Sequence, residues 1–275
     1  MTNPLSKYFR QPAIHLELPS KGRYWDQTAL ELPETGQLPI YPMTARDEIT
    51  IRTPDALMNG SGMVDIIQSC CPAIKNAWSC PNIDVDALLI AIRIASYGPT
   101  MDFNSNCPHC QHKNLHGIDL LNRLSKIKTP DYDSLFYHAD LAFKFKPVKY
   151  FQMTKENNIT FQEQKIYQAL QRPDTEADIR NKELADSMKR LVEMNMDSLA
   201  ASTDFIQLPD GTRVTDLEFL REFYNNASGA LIKDVQKWMT DINSQISDKE
   251  SEVKCENCTK DYRVPIEYDF ANFFV

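Results

Sequence analysis

Apolar residues recur at helical spacing in several separate stretches of the chain. The clearest of these stretches begins near Asp84 and ends at Gly98, where a glycine followed by Pro99 is typical of a helix C-terminus. Two more helices are expected to begin at Thr44 and around Asp216, because their short polar side chains suit an N-cap. Further apolar stripes predict helices at 63–70, 159–170, 184–199 and 231–246.

Strand patterns are shorter and fewer. Residues 14–18 and 141–147 alternate between apolar and polar side chains, which is typical of a strand with one buried face. Residues 207–214 place two apolar runs around a Pro-Asp-Gly turn at 209–211, which predicts a β-hairpin. We therefore predict a mainly α fold of the α+β class, in which a helical domain carries short antiparallel strands.

The first 43 residues are rich in proline, and their apolar pieces are short. Because proline removes backbone donors, this segment is predicted to be an extended arm lying along a surface rather than part of a central sheet. Tyr24 and Trp25 follow a turn in this arm. They are candidate partner-binding residues; the alternative is an arm packed on its own domain.

Composition narrows the class of protein. The chain has 275 residues, 42% of them apolar and 25% charged, which is typical of a globular protein able to bury a core. A net charge of −8 makes nucleic acid an unlikely partner and is compatible with protein partners. No apolar run approaches the roughly 18 residues of a membrane span, and residues 1–7 lack the apolar core of a signal peptide. We expect no membrane partner.

Two Cys-x-x-C turns, called knuckles below, lie far apart: Cys107 and Cys110 bracket C-P-H-C, and Cys255 and Cys258 bracket C-E-N-C, with 144 residues between them. Such a turn places two thiolates on one side of a tight loop, and two facing turns give the tetrahedral shell of structural Zn²⁺. A polar link and an apolar run follow each turn, as in zinc-ribbon knuckles at the start of a strand. We predict that all four cysteines bind one Zn²⁺ in a zinc-ribbon-like module.

The same cysteines allow other interpretations: two redox or incidental dithiols, or thiols that merely pack. A redox Cys-x-x-C usually lies in a β-α-β context, and neither pair precedes a convincing apolar helix. His109, His112 and His116 lie close enough in sequence to replace a ligand, although four cysteines already complete the shell. The remaining cysteines, Cys70, Cys71 and Cys80, are interpreted as small buried apolar residues.

The C-terminal tail contains Phe270, Phe273 and Phe274. Three phenylalanines must be buried in this chain or in a neighbour. They are predicted to bind a partner; the alternative is that they close the core of the zinc-ribbon-like module. The predicted domains are an arm at 1–43, a helical domain with the first knuckle at 44–130, a strand and helical insertion at 131–250, and the second knuckle with the aromatic tail at 251–275.

Several stretches form a specific order along the chain: residues 18–24, 43–48, 60–70, 92–98, the C-P-H-C turn with 118–120, and 272–274. In this order they resemble the T-even-type baseplate protein family of contractile-tailed bacteriophages, which includes hub and assembly proteins with Cys-x-x-C turns. The resemblance covers residues 14–125 and the last twenty, while the middle is similar only in pattern.

The resemblance implies a structural component of the tail baseplate, in its hub or wedge, that binds other baseplate or tail proteins and no small-molecule substrate. Such a protein is assembled in the host cytoplasm and resides in the virion. The alternatives are a transient assembly factor of the same family and a zinc-ribbon regulator that binds nucleic acid. We predict no enzymatic activity, because the sequence holds no metalloprotease motif, nucleophile elbow or phosphate loop. Asp84 and Asp86 are interpreted as helix caps rather than catalytic acids.

Overall fold

The computed structural model describes residues 3–53, 59–171, 177–246, 250–265 and 273–274. The helices are α1 (Ala45–Ile51), α2 (Ser61–Cys70), α3 (Asn82–Tyr97), α4 (Leu120–Ser125), α5 (Tyr150–Leu170), α6 (Ala177–Ser202), α7 (Leu217–Asn226) and α8 (Gly229–Asn243). The strands are β1 (Ile14–Glu17), β2 (Gln37–Ile40), β3 (Thr100–Asn106), β4 (Lys113–Asp119), β5 (Phe136–His138), β6 (Leu141–Phe145), β7 (Thr203–Gln207), β8 (Arg213–Val214), β9 (Glu250–Lys254) and β10 (Asp261–Pro265).

Helices make up 46% of the residues that the structure describes and strands 20%. The fold is therefore mixed, as the α+β prediction states, with more strand than "mainly α" suggests. The chain forms two compact units: unit 1 comprises residues 1–129 and 244–275, and unit 2 comprises residues 130–243.

The predicted helix ends are confirmed where a cap defines them. At α1 the Thr44 side chain accepts a hydrogen bond from the Asp47 amide, and the Asp47 carboxylate accepts one from the Thr44 amide, 2.7 Å away. At α7 the Asp216 carboxylate accepts from two amides of the first turn. Gly98 ends α3 with φ 90°, a value that a residue with a Cβ rarely adopts.

Unit 1 has α3 in its core, where nine of the ten residues from 83 to 92 are buried. Strands β1 and β2 pair antiparallel, with Leu16 opposite Leu38 and Ile14 opposite Ile40. Leu16, Leu38 and Ile40 are also buried. These contacts favour the alternative of an arm packed on its own domain: Pro39 lies within β2, the other prolines of the segment lie outside both strands, and alternate strand side chains contribute to the core of unit 1.

Each knuckle connects the two strands of a hairpin, β3 with β4 and β9 with β10. The sequence pattern showed only the strand after each knuckle, and it assigned 247–252 to a linker that in fact overlaps β9. Both missed strands are exposed at alternate residues and rich in polar side chains. Their sequences therefore lack the apolar alternation that identifies a strand.

Unit 2 contains an antiparallel sheet in the order β5-β6-β7-β8. The predicted hairpin is confirmed, since Gln207 pairs with Arg213 across the Pro-Asp-Gly turn. Aromatic rings fill one side of the sheet: Phe143 and Phe145 are fully buried, and the Trp238 ring of α8 lies 4.9 Å from that of Phe145. Helix α5 begins at Tyr150, nine residues before the predicted start.

Candidate metal centre

The four predicted cysteine ligands converge at one point of unit 1. Their Sγ atoms all lie within 4.8 Å of one another, and two cross-knuckle pairs, Cys107 with Cys258 and Cys110 with Cys255, are 3.6 Å apart. A tetrahedral ion with Zn–S bonds of about 2.3 Å requires S···S separations of about 3.8 Å. The sulfurs therefore already stand at the spacing of a tetrahedral thiolate site.

The two knuckles have the same backbone geometry. In the first, the Gln111 amide donates to the Cys107 carbonyl over 2.8 Å; in the second, the Thr259 amide donates to the Cys255 carbonyl over 3.0 Å. Gln111 and Thr259 both adopt a left-handed conformation, with φ of 60° and 57°. This conformation costs a residue with a side chain about 1–3 kcal/mol and persists where surrounding structure imposes it. Its occurrence at equivalent positions indicates that both turns are shaped to present sulfur.

A polar contact joins the two hairpins beside the sulfurs. The buried Tyr262 of β10 and the buried Asn114 of β4 each stand four residues after the last cysteine of their knuckle, and the Asn114 Nδ2 atom donates to the Tyr262 hydroxyl over 3.0 Å. The same hydroxyl lies 2.6 Å from the Ser105 hydroxyl and 3.0 Å from the His116 Nε2 atom. The Asn114 Oδ1 atom accepts a hydrogen bond from the Glu256 amide in the second knuckle. These bonds fix the knuckles face to face.

The thiols influence one another's protonation. Desolvation raises the pKa of Cys255, but hydrogen bonds from the Cys258 and Asn257 amides outweigh it and bring the pKa to about 6. A backbone hydrogen bond from Lys260 lowers the pKa of Cys258, yet desolvation and hydrogen bonds with the neighbouring thiols raise it to about 12. The lowered pKa of Cys255 thus favours its thiolate beside a protonated Cys258.

No histidine joins the sulfur cluster among the described residues. His116 faces the Tyr262 hydroxyl instead. Cys70, Cys71 and Cys80 are buried elsewhere in unit 1, as interpreted from sequence. Burial raises the pKa of Cys70 to about 12 and that of Cys71 to about 11, and it holds the pKa of Cys80 well above its ordinary value. Burial therefore favours the protonated form of these three thiols, and none of them belongs to the four-sulfur cluster.

Trp25, predicted to contact a partner, is half-buried against unit 1, and Tyr24 is half-buried beside it. The Trp25 indole N–H donates to the Asp84 carboxylate over 2.8 Å, and the Ser20 amide and hydroxyl donate to the same carboxylate. Burial raises the pKa of Asp84 to about 6, although the bonds from Ser20 and Trp25 lower it. The interpretation of Asp84 as a helix cap, made from the sequence, is therefore wrong. The Asp84 side chain instead anchors the turn at 20–25 to α3.

The two described tail phenylalanines, Phe273 and Phe274, are buried within this chain. The Phe273 carbonyl accepts a hydrogen bond of 2.9 Å from the Arg93 Nε atom of α3. This contact ties the end of the tail to the helical part of unit 1, which neither of the two sequence interpretations anticipated. Phe270 lies outside the described residues.

Exposed aromatic residues occur instead before β1. Leu5, Tyr8 and Phe9 are all largely exposed around a short 3-10 helix at Ser6–Tyr8. The next residue, Arg10, is fixed by bonds of 2.6 Å from its guanidinium to the Pro42 and Ser69 carbonyls. Sequence reasoning missed this group, whose signal was a run of apolar and aromatic residues directly before the first strand. Among described residues no helix is long and apolar enough to cross a membrane.

The arrangement defines a class of site. Four thiolates close a tetrahedral shell and leave no position for water or substrate, so a metal bound here would cross-link two hairpins rather than activate a reactant. The four cysteines therefore form a possible metal site with the geometry of a structural rather than a catalytic centre.

A comparison with known protein families gives a match that covers nearly the whole chain. The model of the family described as T4 bacteriophage base plate protein matches residues 13–275. The chain belongs to this family, which confirms the resemblance seen in the sequence. No curated protein and no solved structure gives a significant match to this chain.

Proposed function

We propose that the protein is a zinc-stabilised structural component of a contractile bacteriophage tail baseplate, in its hub or wedge. The observation that carries this proposal is the family match over residues 13–275. The fold supports it, because the site best defined chemically is a closed four-sulfur cluster that suits cross-linking and leaves no place for a substrate. The protein acts by binding other baseplate or tail proteins, without catalysis, and resides in the virion after assembly in the host cytoplasm.

The metal of this proposal is Zn²⁺, held by Cys107, Cys110, Cys255 and Cys258. Zinc takes four thiolates in a tetrahedron without geometric strain, and the 3.6 Å sulfur pairs match that geometry. When bound, zinc supplies a cross-link between residues that are far apart in sequence. The Asn114 and Tyr262 side chains hold the two knuckles at the required separation.

Partner contacts are proposed for both ends of the chain. Tyr24 and Trp25 keep part of their rings exposed, although the Trp25 N–H is engaged by Asp84. The exposed Tyr8 and Phe9 add a second aromatic surface before the Arg10 anchor. Phe273 and Phe274 are the weaker candidates because they are already buried.

The test is quantitative mass spectrometry of purified phage particles, isolated tails and host-cell lysate. A structural component is retained in the particle and in the tail at a fixed ratio to other tail proteins. Presence in the lysate together with absence from finished tails would establish the alternative, a transient assembly factor. Retention in particles but not in tails would overturn both. Salt-dependent binding of the purified chain to DNA or RNA would instead favour a nucleic-acid regulator.

A further inference from the structure

Helices α5 and α6 form an antiparallel pair in unit 2, the α5–α6 hairpin. Glu163 and Arg190 join the two helices through two hydrogen bonds of 2.6 and 2.9 Å, and Thr160 lies against Met194. Few of their side chains are covered: in α5 only Tyr150, Thr154 and Glu163 are buried. Much of the hairpin surface is therefore open to solvent.

One face of the hairpin is an apolar groove of about 390 Å³. Its walls include Thr160, Gln164 and Tyr167 from α5, and Leu184, Met188 and Leu191 from α6. Within each helix these positions are spaced by four and then three residues, the spacing of side chains that face a neighbouring helix in a bundle. On this face the spacing is that of bundle helices, and among the described residues only those of α5 and α6 line the groove.

The apolar side chains in and beside this groove are unusually exposed. Met188 is 70% exposed, Val192 56%, Tyr167 54% and Phe161 40%. Helices with exposed apolar stripes gain stability when a complementary apolar surface covers them. We therefore expect that a helical partner covers this groove.

The charges on the hairpin distinguish between partners. Residues 155–171 and 178–194 carry six basic and six acidic side chains, whereas the whole chain has a net charge of −8. A strongly basic or acidic partner gains no net attraction from this balanced surface. Two identical hairpins meet here without net repulsion, although the chains as a whole are acidic.

We propose that the α5–α6 hairpins of two copies of this chain pack together through their grooves and form an antiparallel four-helix bundle. Each copy then supplies two helices, and the exposed Met188 and Tyr167 side chains of both fill the shared core. The ion pair between the buried Glu163 and the partly exposed Arg190 remains within each hairpin and keeps its two helices in register.

The size of the groove predicts a weak association. Fifteen residues of each helix span about 22 Å, and two helices side by side are about 20 Å wide, which gives a footprint of roughly 450 Å² per copy. A standard stable interface buries about 800 Å² per partner. We therefore expect an equilibrium between monomer and dimer that changes with concentration.

The test is sedimentation velocity of the full chain from about 1 to 200 µM. Wild-type protein is expected to shift from monomer towards dimer across this range. Met188→Glu places a charge in the bundle core and is expected to weaken dimerisation at least about tenfold. Circular dichroism establishes that the variant retains the helical content of the wild type.

The matched control is Phe219→Glu, which introduces the same glutamate charge at an exposed apolar residue of α7 outside the groove. It is expected to dimerise like the wild type. A wild-type chain that stays monomeric up to 200 µM overturns the proposal. So does equal dimerisation of wild type and Met188→Glu, which would place the contact elsewhere. A monomeric chain that binds another tail protein through the groove also refutes the second copy as the occupant.

Discussion

Two regions of the molecule are stabilised by different means. One is the knuckle module, which is formed by β3, β4, β9, β10 and the two knuckles, and the other is the sheet of unit 2. In the module the buried cluster consists of Cys107, Cys255 and Tyr262, with a few half-buried side chains against it. In the sheet, the ring centroid of Phe143 lies within about 6.2 Å of the ring centroids of Phe136, Phe145 and Phe223. Hairpins with so few apolar residues cannot bury enough surface to be stable alone, so they need a cross-link.

The two regions should therefore be sensitive to different substitutions. If the proposed zinc stabilises the knuckle module, removal of one thiolate or of the metal should open this module and leave the aromatic core intact. Removal of one ring should do the reverse. Three substitutions test this separation.

The largest effect is expected for Cys255→Ser, which removes one sulfur from the centre. Apparent zinc-binding energies of about 10–16 kcal/mol in small zinc domains exceed what a module this small gains from its own core. Zinc content should fall from about one ion per chain to near zero, and hydrogen exchange of the β3, β4, β9 and β10 amides should lose protection. Elemental analysis and exchange mass spectrometry measure both.

The control for this change is Cys70→Ala, which removes a buried cysteine of α2 outside the cluster. It should keep its zinc. Zinc content that is unchanged in Cys255→Ser would disprove the shared site, and lost protection throughout unit 2 would disprove the separation between the two regions.

The second substitution, Phe143→Ala, removes a fully buried ring of the sheet. We expect a loss of about 3–5 kcal/mol in the free energy of unfolding of unit 2, because a cavity replaces the ring. Zinc content should stay at about one ion per chain. Urea unfolding followed by Trp238 fluorescence, with metal analysis of the same sample, is the measurement.

Phe219→Ala, at an exposed ring in unit 2, is the matched control and should change stability by less than about 0.5 kcal/mol. If Phe143→Ala released the zinc, the two regions would be one cooperative structure and the comparison would fail.

The smallest effect is expected for Tyr262→Phe, which leaves the ring but removes the hydroxyl shared by Ser105, Asn114 and His116. Polar groups left without a partner cost about 1–3 kcal/mol. Zinc should still bind at one ion per chain, with affinity reduced about 10–100-fold as for other residues that support metal ligands. Competition with a chromophoric chelator measures this affinity.

Tyr137→Phe, at an exposed tyrosine of β5, should leave the zinc affinity unchanged. Complete loss of zinc from Tyr262→Phe would show that the polar contact, rather than the thiolates, determines whether the knuckles meet.

Local signals in the sequence were sufficient to predict the caps and the convergence of the four cysteines. The N-cap at Thr44, the C-cap at Gly98 and the Pro-Asp-Gly turn each depend on a few neighbouring residues, and the structure contains all three. The cysteine pairs could be matched across 144 residues because the spacing within each pair already indicates a metal ligand.

Contacts between distant residues were beyond the reach of sequence patterns. Asp84 looked like a cap because it lies in the first turn of α3, but its carboxylate is taken by Trp25, 59 residues earlier. Strand β9 looked like a charged linker because it lies outside any apolar pattern, and its pairing follows from the second knuckle. In both cases tertiary packing overrides the local preference.

Unit 2 begins and ends at nearly one point. Within unit 1 the Lys128 amide donates to the Ile246 carbonyl over 2.8 Å, and within unit 2 the Tyr132 hydroxyl donates to the Asn243 Oδ1 atom over 2.8 Å. Unit 2 is thus a guest domain inserted into a host between its two knuckles. Doubling the length of such an insertion adds only about 0.6 kcal/mol to the entropy cost of loop closure. Evolution can therefore enlarge, trim or exchange the guest while the host keeps the same four sulfurs together.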